Sequence, residues 1–286
     1  MIVVTGSTGQ LGFELHRILA GLGANAPVTF LSSAELDLRN STQIKKVIAD
    51  LRPALFINAA AYTRVDKAES EPQIARQINT EAPAQIATLA REMAFHLIHI
   101  STDYVFDGKA SRPYTEDDPV CPQSVYGKSK ADGERAVLDI LPSALILRTS
   151  WVYSSHGKNF VKTVLRFADE CKTGKTVPAK MRVVFDQVGS LTYARDLAQT
   201  LLAARDLSGI FNYSNEGAAS WYDVACTIKK IKGLPLEIEP ILTRDYPTDA
   251  RRPHYSVLDK TKLKTALNIK IPHWQESLEK CLSEIS

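Results

Sequence analysis

The N-terminus constrains this chain most. A β-branched run, Ile2-Val3-Val4, leads into Thr5-Gly6-Ser7-Thr8-Gly9-Gln10-Leu11-Gly12, and apolar residues then recur at 11, 15, 18, 19 and 22. That spacing predicts strand, glycine turn and helix in immediate succession. Glycines at 6, 9 and 12 permit a tight turn, a close approach of backbone to a pyrophosphate, and close packing of helix on sheet. The free N–H groups and positive dipole end of the helix suit phosphates. A glycine turn of this kind also occurs without a ligand, so the rest of the chain must decide.

Short apolar runs at Val28 to Leu31, Leu55 to Asn58, Leu97 to Ser101 and Ala144 to Leu147 predict further strands. Helical periodicity fills Ser41 to Leu51, Gln73 to Met93 and Ser124 to Leu141. Such alternation implies an α/β fold, a doubly wound parallel sheet with helices on both faces. Ligands of these sheets bind at the carboxyl ends of the strands. The polar segments Asn58 to Thr63, Ser101 to Tyr104 and Arg148 to Trp151 follow strands and are where chemistry is expected. Beyond Trp151 the alternation fades, with loop-rich stretches around 154–158, 172–190 and 243–256. The expected division is a dinucleotide-binding domain at 1–150, with about 182–210 and 249–260. A smaller, interleaved substrate-binding domain takes about 151–181, 211–248 and 261–286.

Composition excludes several classes of function. A net charge of +3 over 286 residues, without a basic run, argues against nucleic acid or an anionic membrane as partner. Cysteines at 121, 171, 226 and 281 form no C-x-x-C pair, which argues against a zinc site and a disulfide framework. No signal peptide is apparent before the first strand, and no apolar stretch is long enough to span a bilayer, so a cytoplasmic location is expected.

Tyr126 and Lys130 stand four residues apart, on one face of a predicted helix. A cation beside a phenol is expected to lower its pKa and make it a proton donor. Thr102, at a strand end, can donate a hydrogen bond to a carbonyl oxygen as charge builds there. Ser101 is the neighbouring hydroxyl, but residues alternate faces along a strand, and Thr102 is preferred. With hydride from a nicotinamide at the glycine turn, Thr102, Tyr126 and Lys130 describe carbonyl reduction. Lys130 would also hold the nicotinamide ribose.

Together with the glycine turn, the segments Asn58-Ala-Ala-Ala61, Ser101-Thr-Asp-Tyr-Val-Phe-Asp-Gly108, Tyr126-Gly-x-x-Lys130, Arg148-Thr-Ser-Trp-Val-Tyr153, Asn159-Phe160 and Ala250-Arg-Arg-Pro-His254 resemble the extended short-chain dehydrogenase/reductases. Within them the likeness is to the branch acting on dTDP-linked keto sugars, from Ile2 to about Trp274. The resemblance implies a Rossmann-type sheet and reduction of the 4-keto group of dTDP-4-dehydro-L-rhamnose, the last step of dTDP-L-rhamnose synthesis. It implies that Gly9, Gln10 and Leu11 meet the pyrophosphate, that Asp37 and Leu38 lie near the adenine, and that Ala59, Ala60, Ala61, Tyr62 and Thr63 lie beside the cofactor. Asp103, Tyr104, Trp151 and Asn159 are implied as substrate contacts. Trp151 could stack on a sugar face, and Arg251 and Arg252 suit a diphosphate through forked hydrogen bonds.

The second strand ends Phe30-Leu31-Ser32-Ser33, with Glu35 and Asp37 later than an NAD-selective acid would stand and no arginine at its end. NADPH, with NADH tolerated, is the expected cofactor. Some members of the family dimerise around Mg²⁺ held by acidic side chains. Glu14 is retained here, but the matching later positions are read as Arg195 and His273, and arginine repels a hard cation. No metal is expected, and a homodimer would form without one. Leu191 also stands where the family usually has proline. Two alternatives stay open: a reductase or epimerase of another nucleotide-linked keto sugar, and a non-catalytic dinucleotide-binding subunit.

Overall fold

The computed structural model describes residues 1–20, 27–173 and 180–285. Leu22 of the first predicted helix face, and 174–179 of one predicted loop stretch, lie outside them.

The order in the first half is β1 (Ile2–Thr5), α1 (Gln10–Ala20), β2 (Val28–Leu31), α2 (Ser41–Leu51), β3 (Leu55–Asn58), α3 (Val65–Ser70), α4 (Pro72–Arg76), α5 (Ala82–Met93), β4 (His96–Thr102), α6 (Val125–Ile140) and β5 (Leu145–Thr149). The second half runs β6 (Val152–Tyr153), α7 (Phe160–Lys172), β7 (Lys180–Val184), β8 (Val188–Gly189), β9 (Thr192–Tyr193), α8 (Ala194–Ala203), β10 (Gly209–Asn212), β11 (Ala219–Ser220), α9 (Trp221–Lys232), β12 (Glu237–Ile241), α10 (Thr261–Leu267) and α11 (Trp274–Ser283).

Six parallel strands form the central sheet in the order β10-β5-β4-β3-β1-β2. Alternation along each strand sends one residue to each face. Val3, Phe56, Leu97 and Ile146 join Ile44, Ile48 and Ile86 in one buried layer. Their neighbours Val4, Ile57, Ile98 and Leu147 join Leu11, Leu15, Leu197 and Leu201 in the other. Because β2 and β3 lie on opposite sides of β1, the chain changes direction there, and the crevice at that switch point is where such sheets bind ligands.

The predicted helix over Gln73 to Met93 is interrupted by a wide π turn at Gln77–Glu81. Pro83, near the start of α5, has no N–H to give the carbonyl of Asn79 four residues earlier, and its ring crowds that carbonyl. The turn therefore opens at Asn79. The second half adds three two-stranded pairs, β6 with β9, β7 with β12 and β8 with β11. A separate apolar core from α7, α9 and α11 includes Val161, Val164, Ile228 and Leu278. Strand β10 returns to the main sheet, and Leu263 of α10 packs on it. Among the described residues no helix is long and apolar enough to cross a membrane.

Candidate active site

The glycine turn leaves β1 with Gly6 at φ +73°, and a Cβ there would come within 2.9 Å of the Ala59 carbonyl. A Cβ on Gly12 would overlap the Gly6 carbonyl oxygen. The turn is thus pressed against the Ala59–Ala60 loop at the switch point, as only glycine permits. The first turn of α1 carries no acidic residue, and its leading N–H groups have no intrahelical acceptor. These residues fit a pyrophosphate. Gln10, expected at the phosphates, is tied to the second half: its Nε2 donates to Val152 O at 3.0 Å, and its Oε1 accepts from Asn159 Nδ2 at 2.7 Å.

At β2 the structure corrects the sequence reading. Glu35 stood too late in the chain to mark the strand end, yet the turn from Ser32 folds it back, and its Oε2 accepts from Ser32 N at 2.7 Å. A carboxylate therefore does reach the end of β2. Asp37 pairs with Arg39 at 2.7 Å, and Leu38 is buried.

Ser124 caps α6 by accepting from Gly127 N at 3.1 Å, which begins the helix immediately before Tyr126. Tyr126 and Lys130 are both buried, and the Tyr104 ring stands edge-on to Tyr126 at 5.5 Å. The expected lowering of the phenol by Lys130 does not appear. Burial raises the Tyr126 pKa well above its usual value, Asp103 and Tyr104 add to the rise, and the Thr102 hydroxyl opposes it. Lys130 instead turns to β4, where Nζ donates to Ile100 O at 2.6 Å and lies 3.2 Å from His99 Nε2. A backbone carbonyl in a dry site holds the amine better than the face of a neutral phenol. Burial brings the Lys130 pKa down to about 8.

Thr102 lies at the end of β4 beside Tyr126, but its hydroxyl donates to Asp103 Oδ1 at 3.0 Å and accepts from Tyr104 N at 3.3 Å. Its proton is held on a carboxylate in this state, which qualifies the expectation that it points at a carbonyl oxygen. Asp103 is buried, Oδ2 makes no hydrogen bond of good geometry, and burial raises the carboxyl pKa to about 6.

The remaining predicted residues divide. Tyr62 is fixed from both ends, its N–H on Asn79 Oδ1 at 2.8 Å and its hydroxyl on Glu71 at 2.6 Å, which orients the Ala61–Thr63 loop over the crevice. Trp151 adopts a left-handed φ of 47° and stacks on Trp221 with ring centroids 3.6 Å apart. One face of the indole is thereby covered, and the expected sugar contact is left to the rest of the ring. The two tryptophans line a cavity of about 110 Å³ with Lys158, Phe160 and Leu191. Asn159 caps α7 and also donates to Ser154 O at 2.8 Å, so its amide is committed to the protein. Arg252 pairs with Asp66 at 2.7 Å and donates to Tyr104 OH at 3.3 Å, while Arg251 is exposed beside it. The forked diphosphate contact expected of both is open to Arg251 and already engaged at Arg252.

Sequence reasoning missed Asn79, His99, Asp66 and Trp221. The opening at Asn79 was detectable in principle, since a proline leaves the carbonyl four residues before it without its N–H partner. Nothing in the sequence pairs Trp151 with Trp221. The family-based metal positions also need correction. Glu284, and not His273, joins Glu14 and Arg195: Arg17 bridges Glu14 at 3.3 Å and Glu284 at 2.8 Å, and Arg195 meets Glu284 at 2.6 Å. His273 caps the far end of α11, roughly 15 Å away along a ten-residue helix. Among the described residues no group of three or more His, Cys, Asp or Glu is placed to hold a metal.

A doubly wound sheet with a glycine turn at its switch point, and a Tyr/Lys helix beside a strand-end threonine, defines a short-chain dehydrogenase/reductase of the extended kind. The chain belongs to the RmlD substrate binding domain family, which it matches over residues 1–286. It is 39% identical to the dTDP-4-dehydrorhamnose reductase of Aggregatibacter actinomycetemcomitans, with 97% of each chain covered. A solved dTDP-4-dehydrorhamnose reductase from Clostridium acetobutylicum superposes with a TM-score of 0.92 at 37% identity, covering 99% of this chain and 98% of that one. The Bacillus anthracis enzyme in complex with NADP has the same TM-score and coverage at 34% identity.

Proposed function

We propose that this protein reduces the 4-keto group of dTDP-4-dehydro-L-rhamnose to dTDP-L-rhamnose with NADPH, accepting NADH less well. The observation that carries the reading is the buried Tyr126 beside the strand-end Thr102, with Lys130 buried one helical turn further along α6, in a chain similar over its whole length to reductases of that name.

Gly6, Gly9, Gln10, Leu11 and Gly12 would hold the pyrophosphate, the Ala59–Thr63 loop would flank the cofactor, and Lys130 would hold the nicotinamide ribose. When bound, the nicotinamide supplies the hydride. Tyr126 gives its phenolic proton to the carbonyl oxygen, and Thr102 turns its hydroxyl from Asp103 to the same oxygen as charge develops there. The high pKa of the phenol keeps that proton in place until the carbonyl oxygen becomes basic enough to take it. Asp103, Tyr104, Trp151 and Arg251 would line the sugar nucleotide, with Arg252 held behind them by Asp66. The region containing the second core serves substrate binding in this reading. The enzyme works in the cytoplasm, its homodimer needs no interfacial metal, and it binds no nucleic acid.

The test is NADPH oxidation with dTDP-4-dehydrorhamnose, comparing wild type with Tyr126→Phe. A fall in kcat of about 10² or more is expected, with KM for NADPH little changed. Full activity in the variant would sink the mechanism. Turnover confined to UDP-linked keto sugars would sink the substrate assignment.

A further inference from the structure

Under the glycine turn runs a row of polar side chains to which the reduction assigns no role. Thr5, Asn58 and His99 are register neighbours on β1, β3 and β4, so the pleat aligns their side chains across one face of the sheet. Thr5 Oγ1 donates to Asn58 Oδ1 at 2.8 Å, Asn58 Nδ2 lies 3.1 Å from His99 Nδ1, and His99 Nε2 lies 3.2 Å from Lys130 Nζ. The row is closed at one end by Ala60 N–H on Thr5 Oγ1 at 3.4 Å and at the other by Lys130 Nζ on Ile100 O at 2.6 Å. None of the four side chains is more than 2% exposed.

The direction of these bonds constrains the protons. With Thr5 donating to the amide oxygen, Asn58 presents N–H to His99 Nδ1, and the single proton of a neutral imidazole must sit on Nε2, aimed at Lys130. An ammonium has no lone pair to receive it, and an amine has one. An uncharged Lys130 therefore completes a chain running in one sense from Ala60 N–H to Ile100 O, each bond strengthening the next. A charged Lys130 requires Asn58 to turn over, and the Thr5 hydroxyl then loses its one acceptor among the described residues.

We infer that His99 is a positioning residue which, with Asn58 and Thr5, favours the uncharged amine of Lys130 in the free enzyme, and that in alkaline solution dinucleotide binding at the glycine turn is coupled to uptake of a proton by Lys130. The second half of this inference rests on the reductase reading, and the first half does not. The proton comes from solvent and forms an N–H bond on Nζ, leaving an ammonium able to donate to ribose hydroxyls.

The surrounding charges agree. Burial lowers both His99 and Lys130, and each cation would disfavour the other. Glu134, on the same helix, pulls Lys130 back up, but it is itself paired with Arg148 of β5 at 2.7 Å. Tyr126 on α6 and Asp103 after β4 face the opposite side, towards Thr102.

Two measurements test the inference. Nitrogen-15 NMR of histidine-labelled protein without cofactor should show His99 protonated on Nε2 and bare on Nδ1, with one change as Lys130 titrates near pH 8. The opposite tautomer at high pH would overturn the first half, whatever the enzyme's activity. Calorimetry of NADPH binding in buffers of differing ionisation enthalpy should show about one proton taken up per site above that pH. In Asn58→Asp, whose carboxylate can only accept and so favours a charged Lys130, the uptake should largely vanish while Kd stays within about tenfold. Tight wild-type binding without uptake, or an unchanged proton count in the variant, would overturn the coupling and leave the reductase reading standing. Failure of the wild type to bind NADPH would overturn both, with the tautomer still deciding the first half.

Discussion

On the cofactor side of Tyr126, the polar side chains of Thr5, Asn58, His99 and Lys130 are buried and all of them are partnered. On the substrate side, Asp103 is also buried, and its Oδ2 meets the Ser256 hydroxyl without a hydrogen bond of good geometry. A buried polar group left unpaired costs about 1–3 kcal/mol, so a poorly partnered carboxyl and a fully partnered row contribute differently to stability. The paired row is set before any ligand arrives, as expected of groups that must hold one cofactor in one pose. The poorly partnered carboxyl holds back desolvation energy that a polyhydroxyl ligand can relieve, and such exceptions in a folded protein point to function.

Substitution separates the two sides by sign. Asn58→Leu removes the partner of both Thr5 and His99, and two stranded groups should cost about 4 kcal/mol in urea unfolding. A loss below about 1 kcal/mol would mean that the row can re-pair and is not preset.

Asp103→Asn should do the reverse. The folded pKa of Asp103 is raised to about 6 from the ordinary 3.8. Between those values the native state holds a proton that the unfolded state has lost, so stability falls as pH rises through the window, and the loss is complete above about pH 6. Asparagine should therefore stabilise the protein near pH 7.5, by up to about 3 kcal/mol, and leave it unchanged near pH 4. Destabilisation at neutral pH would show that Asp103 is ionised and well paired, and the contrast would fail.

How legible these features were depends on how local they are. The β1–α1 turn, strands β1 to β5, and α2 and α6 follow from residues within one window, and the structure places them within a residue or two of the sequence reading. The π turn at Asn79 follows from Pro83, four residues later, which helical periodicity alone passes over. The Lys130–His99 contact spans 31 residues of sequence, and only the parallel register of β1, β3 and β4 brings Thr5, Asn58 and His99 into line. Helical spacing showed that Tyr126 and Lys130 share a face, but not that Lys130 would choose the Ile100 carbonyl over the phenol. Likewise, Glu284 could not be matched to Glu14 from motif order, because their bridge through Arg17 joins opposite ends of the chain.

The smallest expected effect tests whether the cofactor side is as fully determined at β2 as it is under Lys130. Glu35 holds Ser32 N–H at the end of β2, where the ribose 2′ substituent of a dinucleotide lies in folds of this kind. An anion there favours a 2′-hydroxyl and opposes a 2′-phosphate, but this carboxylate is open to solvent, so the bias is screened. NADPH should remain the better cofactor, with NADH still used. Glu35→Gln keeps an oxygen for the Ser32 N–H and removes the charge, and should raise the NADPH-to-NADH ratio of kcat/KM by about threefold to tenfold. A wild-type ratio favouring NADH by more than about tenfold would overturn the cofactor assignment. If the ratio does not move in the variant, Glu35 serves only as a backbone cap, and preference at the 2′ position must be set by groups other than this carboxylate.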